Sequence, residues 1–410
     1  MSPSPKPILL LGAGKIGFAI ALMLERSGDY SVMVADQDPA RLRVVAELGC
    51  ETRQISDDAS LARCIEGRHA VVNALPFHRA IAVAQLCAQA GVHYFDLTED
   101  VASTHAIQAL AGDARAVLMP QCGLAPGFIG IVGNALARRF DTLLDLRMRV
   151  GALPRYPSNS LRYNLTWSTE GLINEYCNPC EAIVDGQLTS VPALEGYETF
   201  ALDGVEYEAF NTSGGLGTLP ATLLGRARNV DYKSVRYPGH CNLMKLLLND
   251  LRLRDRRDLL KDIFETAIPT TEQDVIVIQA QASGHRHGRL EEESYPIRVF
   301  GADVDGHRLS AIQLSTAAGI CAALDLVCLL YTSRPITTGM APASFSTASS
   351  TASCSASSSA AASPVLPHTT SPSTPAAAKW RTRRRRAPPS TAPPENGVTR
   401  GIQTPWNGDC

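Results

Sequence analysis

In the first third of the chain, short apolar runs alternate with longer amphipathic stretches. Ile8 to Leu11 is an unbroken apolar run, the pattern of a parallel strand buried on both faces. Tyr30 to Asp36 reads as a second strand. Pro39 to Leu48 reads as a helix that starts with proline near its first position and stops at Gly49. Further strands are predicted at Thr52 to Ile55, Ala70 to Leu75, Tyr94 to Leu97 and Val117 to Pro120. Helices fall between them at Ser60 to Ile65, Ile81 to Ala90 and Thr104 to Leu110. This alternation predicts an α/β fold with a Rossmann-type, doubly wound parallel sheet.

The period changes near Asp145. Leu146 to Val150 alternates apolar residues with arginine, and glycines and prolines break the chain as far as Pro157. Asp185-Gly186 and Asp203-Gly204 each lie between strand-like runs, a strong hairpin signal. Val275 to Ala282 and Tyr295 to Phe300 read as antiparallel strands around a polar tip carrying His285 and His287. Helices are expected at about Asn242 to Leu251 and Arg256 to Thr266. Together these predict a second, mixed α/β domain with an antiparallel sheet.

Pro126 should open a helix running to about Arg139, and Leu314 to Val327 should form a helix of small and apolar residues that packs back on the first domain. The expected boundaries are 1–125 for the nucleotide-binding domain, 126–305 for a substrate and dimerisation domain, 306–327 for the returning helix and 328–410 for a tail. That tail is rich in Ser, Thr, Ala and Pro, cannot offset its ordering entropy by burial, and reads as disordered or out of frame. The basic run Arg381 to Arg386 is a weak nuclear-import or nucleic-acid signal inside it.

Composition narrows the class. The chain has 410 residues, 45% of them apolar, and a formal charge of −2, a balance that calls for neither nucleic acid nor an anionic membrane. Its 11 cysteines lack the dense spacing of a secreted scaffold and read as reduced thiols in a cytoplasm. Met1 to Pro7 has no hydrophobic signal core. No apolar run approaches the roughly 20 residues that span a bilayer. A cytoplasmic protein without membrane contact is expected.

The first strand runs directly into Gly12, Gly14 and Gly17, spaced G-x-G-x-x-G. This spacing allows a tight turn, admits a pyrophosphate against the backbone and lets the helix pack close to the strand. Asp36 follows about two dozen residues later, where a ribose 2′-hydroxyl needs an acceptor. A carboxylate there disfavours an extra phosphate, so NAD is expected; NADP is the alternative if Arg41 or Arg43 reaches back. Ala74, Leu75 and Pro76 end the fourth strand where such sheets bind ligands. Asp96, Thr98 and Glu99 gather at the end of the fifth, facing the nicotinamide end.

In the second domain Lys233, Arg236 and His240 fall on a strand and turn. They offer two carboxylate-binding cations and an imidazole that titrates near neutrality, unless they pair with surface acids. Pro238-Gly239 suggests that His240 is held on a turn outside any helix. Thr212 and Ser213 begin a glycine-rich polar loop suited to a carboxylate, and Trp167 with Ser168 is an apolar wall or core. Cys177 and Cys180 lack a second ligand pair, so no metal is expected. Neither a G-x-S-x-G elbow nor an H-E-x-x-H helix is present, which removes the commonest hydrolase readings.

The glycine turn, Asp96-Leu-Thr98, Gly123-Leu-Ala-Pro-Gly127, Gly151-Ala-Leu-Pro154, Thr166-Trp-Ser168, Thr212-Ser-Gly-Gly215 and Tyr232-Lys-Ser-Val-Arg-Tyr-Pro-Gly-His240 stand in an order and spacing that resembles the saccharopine dehydrogenase family, which includes lysine 6-dehydrogenase. The likeness covers roughly residues 6–327. It implies a nicotinamide-dependent dehydrogenase that oxidises the C–N bond of a lysine-derived amino acid in a cleft between two domains. Carried over, Gly12, Gly14, Lys15, Ile16 and Gly17 resemble the phosphate turn. Leu97, Thr98, Leu124, Ala125 and Pro126 resemble the surroundings of nicotinamide and substrate, and Thr212 and Ser213 the loop that holds a substrate carboxylate. Ala125 stands where fungal-type members carry an acid, which is more like lysine 6-dehydrogenase and the bacterial saccharopine dehydrogenase branch and leaves the substrate open between saccharopine and lysine. Asp96, Lys233 and His240 are the candidates for proton transfer, and Arg236 for a carboxylate clamp. A homodimer is expected. A non-catalytic nucleotide-binding regulator and an enzyme acting on a polyamine are the other readings.

Overall fold

The computed structural model describes residues 4–330. The tail and its arginine run lie outside the described residues, except for the short stretch 328–330.

The first domain opens with β1 (Lys6–Leu11), α1 (Lys15–Ser27), β2 (Tyr30–Asp36), α2 (Pro39–Ala46) and β3 (Glu51–Gln54). It continues with α3 (Asp58–Ile65), β4 (Ala70–Asn73), α4 (Ala80–Ala90), β5 (His93–Asp96), α5 (Val101–Ala111) and β6 (Leu118–Met119). All six strands form one parallel sheet in the order β3-β2-β1-β4-β5-β6, so the strand order reverses between β1 and β4. Ile8 to Leu11 are fully buried because helices cover both faces.

Two helices begin earlier than their apolar pattern suggests, and the caps explain why. Asp100 accepts from the Ser103 amide, which starts α5 at Val101 where Thr104 was expected. Ser310 and Gln313 form a capping box that starts α11 (Ala311–Asp325) ahead of Leu314.

The second domain begins with α6 (Phe128–Ala137), β7 (Thr142–Pro154), α7 (Thr169–Cys177), β8 (Cys180–Val184) and β9 (Gln187–Val191). There follow β10 (Glu198–Leu202), β11 (Val205–Asn211), α8 (Leu219–Leu223), β12 (Ala227–Arg236), α9 (His240–Lys245) and α10 (Arg257–Ala267). The long hairpin β13 (Asp274–Arg286) and β14 (Arg289–Phe300) and the small β15 (Ala302–Val304) and β16 (His307–Leu309) precede α11. The large sheet runs β10-β11-β12-β7-β13-β14, with β8 beside β12. It is mixed and not purely antiparallel, because β12 and β7 pair in parallel at its centre.

Alternation along these strands separates two faces. Leu146, Met148 and Val150 of β7 pack with Ile276, Ile278 and Ala280 of β13 against α6. Leu153, Val235 and Val277 form a separate cluster on the other face. The Asp-Gly hairpins form as expected, with Asp185, Gly186, Asp203 and Gly204 all at positive φ.

The expectation about apolar length needs correction. Ala311–Leu329 spans 19 residues and is long and apolar enough to cross a membrane by length and composition alone. Gln313, Ser315 and Thr316 hide this in a scan for unbroken apolar letters. Ala317, Ile320 and Leu324 of this helix lie in the core of the first domain with Ile20 and Leu24 of α1.

Candidate active site

The glycine turn lies at the switch point between β1 and β4. Gly12 has φ +98, and a Cβ there would sit 2.9 Å from the Ala74 carbonyl oxygen. A Cβ on Gly17 would overlap the Gly12 carbonyl, so helix and turn touch through backbone alone. Around Gly14, by contrast, there is open space. Gly14 is the N-cap of α1 and supplies no side-chain cap, which leaves the amides of Lys15, Ile16 and Gly17 for a ligand. A pyrophosphate fits this cradle, which any side chain at Gly14 would narrow. Asp36 accepts from the Ala13 amide at 2.6 Å and the Asp38 amide at 2.8 Å, fixing the turn to the end of β2. Leu75 of the loop ending β4 packs by Gly12, and its amide donates to Asn73 Oδ1.

At the ends of β5 and β6 the Asp96 carboxylate is fully engaged. Oδ1 accepts from the Thr98 amide at 3.0 Å and the Gln121 amide at 2.9 Å, while Oδ2 accepts from the Tyr94 hydroxyl at 2.8 Å. Burial pushes its pKa up to about 6 against these hydrogen bonds. Its acceptor sites are spent on holding two strand ends together, which disfavours the expected role in proton transfer. Thr98 Oγ1 accepts from the Asp100 amide, and Leu97 packs beside Gly123 in the turn that carries Leu124, Ala125 and Pro126.

The expected trio in the second domain separates. Lys233 and Arg236 lie on β12 with side chains on opposite faces of the sheet. Lys233 Nζ reaches Glu198 at 2.6 Å; Glu198 also pairs with Arg149, and Arg149 with Asp231, on the outer face. Alternation along an extended strand therefore removes Lys233 from Arg236 and His240.

Arg236 points inward and is buried. Its Nε donates to the Tyr176 hydroxyl at 2.7 Å, and its guanidinium lies over the Tyr163 ring, 5.1 Å from the centroid. His240 is the first residue of α9 and is buried, contrary to the expectation of an open turn. Its Nδ1 donates to the Leu161 carbonyl at 2.8 Å, and its Nε2 lies 3.0 Å from the Tyr176 hydroxyl. Burial and the Arg236 cation lower its pKa to about 3, so the ring is neutral and both nitrogens are occupied.

Thr212 and Ser234 share a 2.8 Å hydroxyl contact beside Arg236's strand end. Ser213 is tied to α7, donating its amide to the Glu175 carbonyl and its hydroxyl to the Pro179 carbonyl.

Two carboxylates lie beside this buried cluster, and sequence reading missed their pairing. Glu99, from the loop after β5, is wedged against Gly214 and Gly171. Glu175, on α7, is buried, with Oε2 3.5 Å from Ser234 Oγ and 3.9 Å from Arg236 Nη2. Burial chiefly, with repulsion from Asp100, Asp96 and Glu170, pushes Glu99 up to about 7, and burial chiefly, with repulsion from Glu99, pushes Glu175 up to about 8. The sequence signal for Glu175 is faint: one acid inside Leu172-Ile-Asn-Glu-Tyr176, where every residue is buried. Nearby, the buried Tyr163 hydroxyl lies within reach of Thr166 and Trp167, and Gln121 Oε1 is buried without a partner among the described residues. Trp167 packs by Gly171, and Ser168 caps α7.

Residues 8–119 match the family model described as the saccharopine dehydrogenase NADP binding domain, and residues 123–328 match that of the saccharopine dehydrogenase C-terminal domain. The chain is similar to the saccharopine dehydrogenase (NADP(+), L-glutamate-forming) of Pyricularia oryzae, 21% identical over 297 residues, 68% of this chain and 65% of that protein. It is also similar to the mitochondrial alpha-aminoadipic semialdehyde synthase of Mus musculus, 21% identical over 201 residues, 45% of this chain and 21% of that protein. The chain thus spans just under two thirds of the first relative and about a fifth of the second. Among solved structures it is similar to the apo saccharopine dehydrogenase (L-Glu forming) of Saccharomyces cerevisiae, with TM-score 0.65, 16% identity, and 78% of this chain and 91% of that one covered. At that identity the likeness is one of fold.

Proposed function

The chain belongs to the saccharopine dehydrogenase family, and on that premise we propose that it is an NAD(P)-dependent dehydrogenase that oxidises the C–N bond of a lysine-derived amino acid, with saccharopine as the first candidate. The observation that carries this reading is the buried Arg236, held by Tyr176 and Tyr163 at the end of β12, in a chain that also carries an open glycine cradle. A guanidinium flanked by the Thr212 and Ser234 hydroxyls suits a substrate carboxylate.

In this reading the amides at the start of α1 hold the pyrophosphate and Asp36 meets the adenine-side ribose. Arg41, exposed and paired with Asp38 two residues beyond Asp36, offers a cation at this end of the sheet, so NADP is compatible as well as NAD. Bound cofactor supplies the hydride acceptor. Arg236 orients the amino acid by its carboxylate, and Asp96 keeps the loops after β5 and β6 in register beneath it. Oxidation needs the amine neutral, and hydrolysis of the resulting imine needs a base for water. Saccharopine would give glutamate and aminoadipate semialdehyde.

Ala125 and the excess of carboxylates over cations in the cleft favour a second reading, the deaminating oxidation of lysine to ammonia and the same aldehyde. The test is reduced-nicotinamide formation from saccharopine or lysine, with NAD or NADP, and analysis of the product. Glutamate supports the first reading and ammonia the second. Silence with both, in protein that binds cofactor, points to another amine or to a non-catalytic regulator. We also take the protein to be a cytoplasmic homodimer. The sparse spacing of the cysteines along the sequence, unlike that of a secreted disulfide scaffold, supports the compartment. Exposed apolar side chains such as Leu188, Tyr197 and Phe300 support association.

A further inference from the structure

We propose that Glu175, with Glu99 opposite it across the domain cleft, takes the proton from the substrate's amine nitrogen, in place of His240 and Lys233. This rests on the dehydrogenase reading. The step is a proton transfer alone: an N–H bond breaks, an O–H bond forms on Glu175, and the lone pair stays on nitrogen.

The surroundings exclude the other titratable groups. From β12, Arg236 stays cationic and Lys233 lies on the far face. From α9, His240 has both ring nitrogens in hydrogen bonds. Burial drives the phenols of Tyr163, Tyr176 and Tyr232 above their ordinary range. The carboxylate oxygens of Asp96 are filled by amides and a hydroxyl.

Glu175 differs from all of these. Its carboxylate has one long hydrogen bond, from Ser234 at 3.5 Å, and Arg236 stands off at 3.9 Å, too far for a close ion pair. It lies on the Arg236 side of the site, where a substrate carboxylate would dock. Burial and Glu99 raise its affinity for a proton, and Arg236 lowers it, so it exchanges a proton near neutral pH. Glu99 is only half-buried and faces Glu170, Asp100 and Asp96, which repel its charge in turn. A pair with one buried and one half-buried acid suits passing the proton outward from Glu175.

The test uses the full chain with NAD or NADP and L-lysine or L-saccharopine. In the wild type, kcat/KM should rise with pH through an inflection at about pH 8. Glu175→Gln should lower it roughly 100-fold and abolish the inflection, with cofactor affinity by fluorescence titration unchanged. Glu99→Gln removes the repelling neighbour and should move the inflection to lower pH; this arm holds even if Glu175→Gln fails to fold. Retention of the inflection in Glu175→Gln, or no shift in Glu99→Gln, would overturn the proposal. If wild type oxidises neither amine, the dehydrogenase reading fails separately, and infrared spectra of the protein decide the rest. A protonated-carboxyl stretch that titrates near neutrality in wild type and is lost in Glu175→Gln supports the assignment of the proton; its absence from wild type sinks it.

Discussion

Arg236 and His240 share one phenol: the Tyr176 hydroxyl accepts from Arg236 Nε at 2.7 Å and donates to His240 Nε2 at 3.0 Å. The imidazole is thereby a neutral support for the clamp, anchored at its other nitrogen by the Leu161 carbonyl.

Tyr176→Phe breaks this link and leaves two buried groups unsatisfied. It should cost about 1–3 kcal/mol of stability and raise KM for a carboxylate substrate more than it lowers kcat. Urea midpoints and steady-state kinetics check both.

Lys233 and Arg236 should respond in opposite ways. Lys233→Met, on the outer face, should leave kcat/KM within about threefold of wild type. Arg236→Lys loses the planar fork and should lower kcat/KM roughly 30-fold or more. Equal losses in both variants would contradict the two-faced arrangement of β12.

The glycines separate cofactor binding from folding. Gly14→Ala adds a methyl group to open space at the N-terminus of α1, so apo stability should hold while cofactor affinity falls roughly tenfold. Gly17→Ala drives a Cβ into the Gly12 carbonyl and should lower both. Thermal midpoints with and without cofactor distinguish the two.

Acid should weaken the fold through His240. Its pKa is about 3 folded against an ordinary 6.5, so the unfolded chain binds the extra proton, and this contribution is lost as pH falls from about 6.5 towards 3. Glu175 has the opposite sign: its raised pKa favours the fold below about 4.5, and that contribution disappears as pH rises through about 8. Relative to wild type, His240→Gln should flatten the acid limb of a stability profile, and Glu175→Gln should gain stability at alkaline pH. Chemical unfolding across pH measures both slopes.

Local chemistry was legible in the chain itself. Ile8 to Leu11, the three glycines and Asp36 announce a strand, a turn and a carboxylate whose relation is set by a few neighbouring residues, and they stand in the structure as a buried strand, a tight turn and its clamp. Asp-Gly pairs specify hairpins for the same reason, since the turn is made within four residues. Caps such as Asp100 and Ser310 carried equally local information that a search for apolar period overlooks.

Partnership over distance was decided only by the tertiary structure. Lys233, Arg236 and His240 look like one group along the sequence, yet strand alternation sends the first to Glu198 and the helix start buries the third. Glu99 and Glu175 are far apart in the chain and meet because a Rossmann loop and a second-domain helix close on the same cleft. Neither the burial of Glu175 nor its repulsion by Glu99, both of which raise its affinity for a proton, is a property of its neighbours in sequence.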